Sequence, residues 1–373
     1  MQVKISETTL VVPSTPPFAE NHVLHLTHLD NDPNVRVTFR YVRAYVSTTN
    51  SSDPGRVISA AETTTASSSS APKLAPDPDP NEALVSPCVL RITVFKCGGY
   101  TLGGAINHSL CDGMGATQFF NAMAELARGA TRVSIQPVWD RSSLLGPRDP
   151  PQIETPVLHE FLNLDRKSSP YEQGKQLGPV LRECFGIKDE CLEKFKTKLL
   201  EQSGLSFTTF EAFGAFLWRA QVKSSEIPMD ETVTFAYALN VRKLVSPPLP
   251  TGYWGKKSKS NATDEFVRSF IDFQELHYND GITAGEEVSG FTDWRHLRHS
   301  TVDFGWGGPV TVLPLSRNLL GIVEPCFFLP PSGTKGKKDG CKIMVTLRES
   351  AMPGFRVEMD KFGSQEFGLS CCN

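Results

Sequence analysis

The sequence holds no run approaching the ~18 consecutive apolar residues that a membrane helix requires. Its opening stretch, MQVKISETTLVVPSTPPF, lacks the long apolar core of a secretory signal. The nine cysteines are scattered and contain no CxxC pair, which argues against a zinc ribbon or a disulfide framework and fits reduced thiols. Basic residues are not in surplus: 38 Lys and Arg stand against 41 Asp and Glu, a formal net charge of -3. No basic stripe is visible either, so no nucleic-acid partner is expected. There is no GxSxG elbow, which sets aside a serine hydrolase, and no internal repeat. The expectation from these absences is a cytoplasmic protein with no membrane span and no metal.

What is present is ordinary globular material: 373 residues, 39% hydrophobic and 21% charged, enough for one large domain or two medium ones. Strand-like runs cover 7–12, 22–29 and 35–46. The run HVLHLTHL spaces His22, His25 and His28 three apart. In a strand that spacing turns His25 to the opposite face, so the three do not converge on a metal. Residues 63–80, TTTASSSSAPKLAPDPDP, form an exposed, flexible linker by composition.

The runs 89–96 and 100–106 make a hairpin around Cys97-Gly98-Gly99. A helix over 114–128 follows, with Phe119, Phe120, Met123, Leu126 and Ala127 as its apolar stripe and Gly129 as its stop. After a loop at 147–156, helices are predicted over 189–202 and 208–222. Strands are predicted over 232–240, 310–313, 321–329 and 341–347. Short mixed strands with helices between them predict an α/β sandwich rather than a bundle or a barrel.

The segment Asn107-His108-Ser109-Leu110-Cys111-Asp112-Gly113-Met114-Gly115 carries the chemistry. A strand ends, a helix begins, and an imidazole is set at the strand end, where a side chain projects into a cleft from a rigid base. Histidine is the side chain whose ordinary pKa suits proton transfer near neutrality. Gly113 and Gly115 allow the tight turn. Taken alone, HxxxD also fits a buried histidine in a turn. A second segment, Thr301-Val302-Asp303-Phe304-Gly305-Trp306-Gly307, changes that balance.

HxxxDG in the first third and DFGWG near the end are the signature pair of the BAHD acyl-CoA-dependent acyltransferases, and the chain resembles that family over nearly its whole length. Val11-Val12-Pro13 with Leu26-Thr27-His28-Leu29-Asp30 is similar to the family's opening. Phe207-Thr208-Thr209-Phe210-Glu211 through Trp218-Arg219 is similar to its Trp-Arg helix. Asn240-Val241-Arg242 with Pro247-Pro248-Leu249-Pro250 is similar to its Asp-x-Arg and PPLP stretch, with Asn240 in place of the usual Asp.

The resemblance implies two chloramphenicol-acetyltransferase-like α/β domains of mixed sheet and helices, with a tunnel between them. The corresponding division is 1–150, a crossover loop over 151–175, and 176–373. It implies acyl-CoA as co-substrate with no bound cofactor, and His108 as the general base. Cys111 is then not a nucleophile. Asp112 could orient the imidazole, as in a serine hydrolase; the family pattern instead pairs it with Arg242, and that structural role is favoured. Asp303, Gly305 and Trp306 are likewise structural by resemblance.

Phe291-Thr292-Asp293-Trp294 is similar to the Thr-x-Trp of hydroxycinnamoyltransferases. It makes Thr292 and Trp294 candidates for stabilising the intermediate, with a packed core tryptophan as the alternative. Ser206, Thr208 and Thr209 precede a helix that could receive a CoA phosphate or could simply be capped there. Lys335, Lys337 and Lys338 could contribute or could be a solvated loop.

Relatives specific for shikimate or quinate carry an Arg upstream of Thr-x-Trp. The region 276–281, LHYNDG, has none, so a neutral alcohol is the expected acceptor, with a hydroxycinnamoyl or other aromatic acyl donor. Asp280, Glu286 and Glu287 leave a cationic polyamine open. Two blocks are short against the family, after residue 58 and near 255–260. The second function class is therefore a catalytically impaired member acting as a binding or scaffold protein. A monomer is expected.

Overall fold

Alternation in TFRYVRAY sends Phe39, Tyr41, Arg43 and Tyr45 to one face of an eight-residue strand. In the computed structural model the elements run β1 (Thr38–Tyr45), β2 (Cys88–Val94), β3 (Tyr100–Asn107), α1 (Gly113–Ala127), α2 (Ser142–Leu145), β4 (Val180–Ile187), α3 (Asp189–Ser203), α4 (Thr209–Ser224), β5 (Thr234–Tyr237), α5 (Asp264–His277), β6 (Val288–Asp293), β7 (Thr311–Pro314), β8 (Cys326–Leu329), β9 (Cys341–Arg348) and α6 (Met352–Gly363).

The structure describes residues 38–46, 87–138, 141–154, 179–238, 240, 242–252, 263–277, 288–316, 325–333 and 339–363, with Thr9, Leu26, Thr27, Asp30, Leu74 and Ala75 as isolated positions. Apart from those isolated positions, the strands expected over 7–12 and 22–29, the Ser/Thr-rich run, most of the crossover loop, the shortened blocks after residue 58 and at 255–260, and Lys335, Lys337 and Lys338 lie outside these residues. So do Asp280, Glu286 and Glu287. Leu74 and Ala75 depart from the expected exposed linker: both are buried, Leu74 within the first core, with their backbone against Gly103 of β3.

Two sheets form. The first is antiparallel with order β2–β3–β1–β7. The second has order β4–β9–β8–β6–β5, with β5, β6 and β8 parallel and β9 and β4 antiparallel. The parallel neighbours β5 and β6 are joined across α5, the connection that parallel strands require. Between β6 and β8 the chain leaves the second sheet and lays β7 against β1, pairing Val42 with Leu313. The C-terminal half therefore lends a strand, β7, to the sheet that β1, β2 and β3 build.

Helix α1 covers the first sheet. Its buried face is Gly115, Ala116, Thr117, Phe120 and Ala124, and Leu126 is exposed. The core stripe is thus rotated from the expected one, because small residues let the helix lie close to the sheet while Phe119 and Met123 pack only at its margin. In the second half, Phe213 and Leu217 of α4 and Phe355 and Phe362 of α6 pack with Phe328 and Ile343 of the sheet. Burying one such side chain stabilises the fold by about 1.5–3 kcal/mol.

Phe327, Leu329 and Met344 of the second sheet belong to the first core, with Phe39 and Trp294, so the halves share apolar contacts where they meet. Cys88, Cys97, Cys111, Cys184, Cys326 and Cys341 are not disulfide-bonded. Cys191 departs from the expectation of reduced thiols and is disulfide-bonded, a pairing made by folding that spacing in the sequence does not reveal. Among the described residues no helix is long and apolar enough to cross a membrane.

Candidate active site

β3 ends at Asn107, and His108 is the next residue. The Asn107 side chain turns the chain by accepting from the Ser109 N–H at 3.0 Å. His108 is half-buried and packs edge-on against Phe39, ring centres 5.9 Å apart. Phe39 is opposite Ile106 in the sheet, so the antiparallel register places it there. The same Phe39 ring meets Trp294 at 5.3 Å, and Trp294 meets Phe327 at 5.3 Å. Thr292 pairs with Phe327 between β6 and β8. His108 and Trp294 thus share Phe39 as a neighbour where the halves meet, while Thr292 is placed opposite Phe327 by backbone register. Trp294 is 6% exposed and part of the first core, so the packing role expected as its alternative is also filled.

Asp112 points elsewhere. Its two carboxylate oxygens accept from Arg242 Nη1 and Nη2 at 3.0 and 2.9 Å. Oδ1 also accepts from the Gly115 N–H at 2.8 Å, capping α1. A bidentate ion pair of this kind is specific in geometry as well as strong. It ties the His108 turn to the 240–252 segment. Asn240 supports Arg242 by accepting from its backbone N–H at 3.1 Å, which an Asp oxygen would do equally well.

Gly113 serves space rather than turning. Its φ is not left-handed, and a Cβ there would lie 2.7 Å from Leu297 Cδ1. The start of α1 therefore sits directly on the loop that follows Trp294.

The second signature is remote from the imidazole. Asp303 Oδ1 accepts from the N–H groups of Gly305 and Gly307 at 2.7 and 2.8 Å. Both glycines have positive φ, 107° and 94°, a conformation that favours them. Trp306 packs on Tyr100 with ring centres 5.5 Å apart, and Tyr100 begins the strand that His108 follows. Seven residue steps of about 3.3 Å separate those ends, roughly 23 Å. Asp303 holds its own loop closed and cannot reach the reacting atoms.

The expected phosphate position at the start of α4 is a capped helix end. Thr208 Oγ1 accepts from the Glu211 N–H at 3.2 Å, while Glu211 Oε2 accepts from the Thr208 N–H at 2.8 Å and hydroxyl at 2.7 Å. These bonds hold the Glu211 carboxyl below its usual range. An anionic carboxylate already sits where a phosphate would go. For Thr208 the ordinary capping alternative accounts for the residue, and Ser206 and Thr209 gain no anion-binding partner from it.

Sequence reasoning missed two buried groups beside the site. Arg141, 4% exposed, donates to the carbonyls of Ser109 at 3.1 Å and of Leu110 and pairs with fully buried Asp30 at 3.3 Å. It clamps the turn that follows His108. The segment VWDR around it has no repeat or spacing that marks it. His299, 6% exposed, lies behind Trp294 at 5.2 Å and near Thr117 of α1 at 3.2 Å. Burial, reinforced by the Arg43 guanidinium, pushes its pKa well below the ordinary value. Among the described residues, no group of three His, Cys, Asp or Glu side chains is placed to hold a metal ion.

The model of the Transferase family matches residues 59–260 and 255–362, which takes in both signatures and the ion pair. The chain belongs to this family, the BAHD acyltransferases. It is 31% identical to 3'-N-debenzoyl-2'-deoxytaxol N-benzoyltransferase of Taxus canadensis over 73% of this chain and 65% of that protein. It is 33% identical to the fatty alcohol:caffeoyl-CoA acyltransferase of Arabidopsis thaliana over 74% and 67%. The match thus spans about two thirds of the length of such relatives. Among solved structures the fold is similar to that of F. graminearum TRI101 complexed with coenzyme A and deoxynivalenol, with a TM-score of 0.63, 13% identity, and coverage of 90% and 97%. That architecture of mixed sheets and helices is the one expected from the sequence.

Proposed function

We propose that this BAHD member transfers an acyl group, of the hydroxycinnamoyl or another aromatic class, from acyl-CoA to the hydroxyl of an alcohol. His108 removes the acceptor proton as the oxygen attacks the thioester carbonyl. The tetrahedral intermediate collapses, the C–S bond breaks, and CoA leaves as a thiolate. A thiol of ordinary pKa ~8.5 is a good leaving group, so the proton held on His108 can follow it and no second acid is required. No acyl-enzyme forms. Thr292 and Trp294 supply donors near the developing oxyanion.

The observation that carries this reading is the junction itself. A half-buried His108 sits at the end of a rigid strand, against Phe39 and one ring away from Trp294. Asp112 is committed to Arg242. The relatives named for fatty alcohol:caffeoyl-CoA and for N-benzoyl transfer favour an aromatic acyl donor; the second leaves an amine acceptor as the alternative. A cytoplasmic monomer is part of this reading.

The two blocks that are short against the family, after residue 58 and near 255–260, favour a second reading, a family member that binds but does not turn over. Thiol release from feruloyl-CoA with long-chain alcohols, aromatic alcohols and spermidine separates the two. Acceptor-dependent CoA release supports transfer, and a folded protein that binds acyl-CoA but releases none with any acceptor supports the binding role.

A further inference from the structure

Arg43 has no exposed surface. Its guanidinium lies between two aromatic faces, 4.6 Å from the Tyr41 ring centre and 4.3 Å from that of Phe120. Nη2 is 3.3 Å from His299 Nδ1, whereas among the described residues Nε and Nη1 have no hydrogen-bond partner. The Tyr41 hydroxyl lies close to the guanidinium and makes a polar contact with it, less well aligned than a regular hydrogen bond.

His299 does not balance the charge. Burial and the neighbouring cation keep its ring neutral, and with Nδ1 facing the guanidinium the single ring proton belongs on Nε2. Among the described residues Nε2 is also without a partner. The Thr117 hydroxyl, 3.2 Å from Nδ1, donates to the Gly113 carbonyl of its own helix at 3.1 Å. Among the described residues the orphan nitrogens are therefore all donors, the Tyr41 oxygen beside them is an uncharged acceptor, and the cluster carries one positive charge.

A buried cation without a counter-charge is strongly unfavourable. The two aromatic faces offset part of that cost. Replacement of the missing acceptor would offset the rest, since hydrogen bonds to an ionised partner are the stronger kind.

We propose that the Arg43 guanidinium, oriented by His299, is a buried binding site for a small monovalent anion, either a halide or a small carboxylate. Full enclosure limits the size of the ion. The site joins β1, α1 and the 299–301 turn behind Trp294, whose ring is 5.2 Å from that of His299. It is separate from the thioester chemistry and is tested without reference to turnover.

The test uses the full chain in buffer free of halide and carboxylate. Sodium chloride, sodium bromide or sodium acetate is titrated at constant ionic strength, with sodium methanesulfonate as the balance. The expected result is a saturating rise in Tm for the wild-type protein, as binding to the folded state alone requires, and no such rise in Arg43→Met. A rise with the halides alone identifies a halide site, and a rise with acetate alone a carboxylate site. Equal rises in both proteins, or none with any salt, overturn the proposal. Should Arg43→Met fail to fold, the anomalous signal of bromide in wild-type crystals decides: a peak in contact with the guanidinium supports the site, and its absence refutes it.

Discussion

Breaking the Asp112–Arg242 pair separates two accounts of Asp112 that both place it four residues from the imidazole. The two side chains are 14% and 10% exposed, so solvent screens the pair weakly. Removing one partner leaves a mostly buried charge, a loss of about 3–5 kcal/mol when burial is complete. For Arg242→Met we expect about 2–4 kcal/mol at this partial exposure. Asp112→Asn keeps an oxygen for the Gly115 N–H, since asparagine caps as well as aspartate, and should cost a similar amount. Asp112→Ala also loses the cap, a further ~1 kcal/mol.

A double-mutant cycle of Asp112→Asn with Arg242→Met should return a coupling of roughly 2 kcal/mol. Urea unfolding followed by tryptophan fluorescence measures each value, with the denaturant slope unchanged if only the folded state is affected. Turnover of the folded Asp112→Asn protein should fall by no more than about tenfold. If Asp112 oriented the imidazole as in a serine protease, the loss would be about 10⁴-fold. A fall of that size with the urea midpoint unmoved would refute the structural role.

Further outcomes follow from neighbouring groups. His299 has a depressed folded pKa, so the unfolded chain takes up a proton first as pH falls below ~6.5. Stability should drop on acidification from that point, by up to ~1.4 kcal/mol per pH unit, and His299→Gln should remove this part of the slope in urea titrations between pH 5 and 7. Arg141→Met should lower kcat with little change in KM for acyl-CoA, because the turn after His108 loses its clamp; the reverse pattern in steady-state kinetics would contradict that role. Thr208→Ala should cost about 1 kcal/mol in unfolding free energy and leave KM for acyl-CoA unchanged, whereas a tenfold rise in KM would restore a phosphate-binding role to that helix end.

The sequence made some of this architecture readable and concealed the rest for physical reasons. β-rich runs, such as β1 and β3, and helices with clear stops, such as α1 at Gly129, are local patterns and were legible. The His108 turn and the Asp112–Arg242 pair were legible because motif resemblance stands in for a contact across 130 positions. The Arg43–His299 contact spans 256 positions and belongs to no motif. The Arg141–Asp30 clamp joins an unmarked arginine to the family-like opening. Strand β7 looked like part of the C-terminal half because a strand's own residues do not say which sheet edge receives it. The stripe of α1 was misplaced because large apolar residues drew the expectation, while Gly115, Ala116 and Ala124 allow the close approach.

The central claim is that the imidazole of His108 takes the acceptor's proton at the junction of the halves. Single-turnover CoA release by His108→Ala, at acyl-CoA concentrations where binding by calorimetry matches the wild type, tests it most directly. The account predicts that acyl-CoA still binds and that release falls at least 10²-fold, the lower end of what a general base supplies. Release at the wild-type rate, with the urea midpoint unchanged, would contradict it.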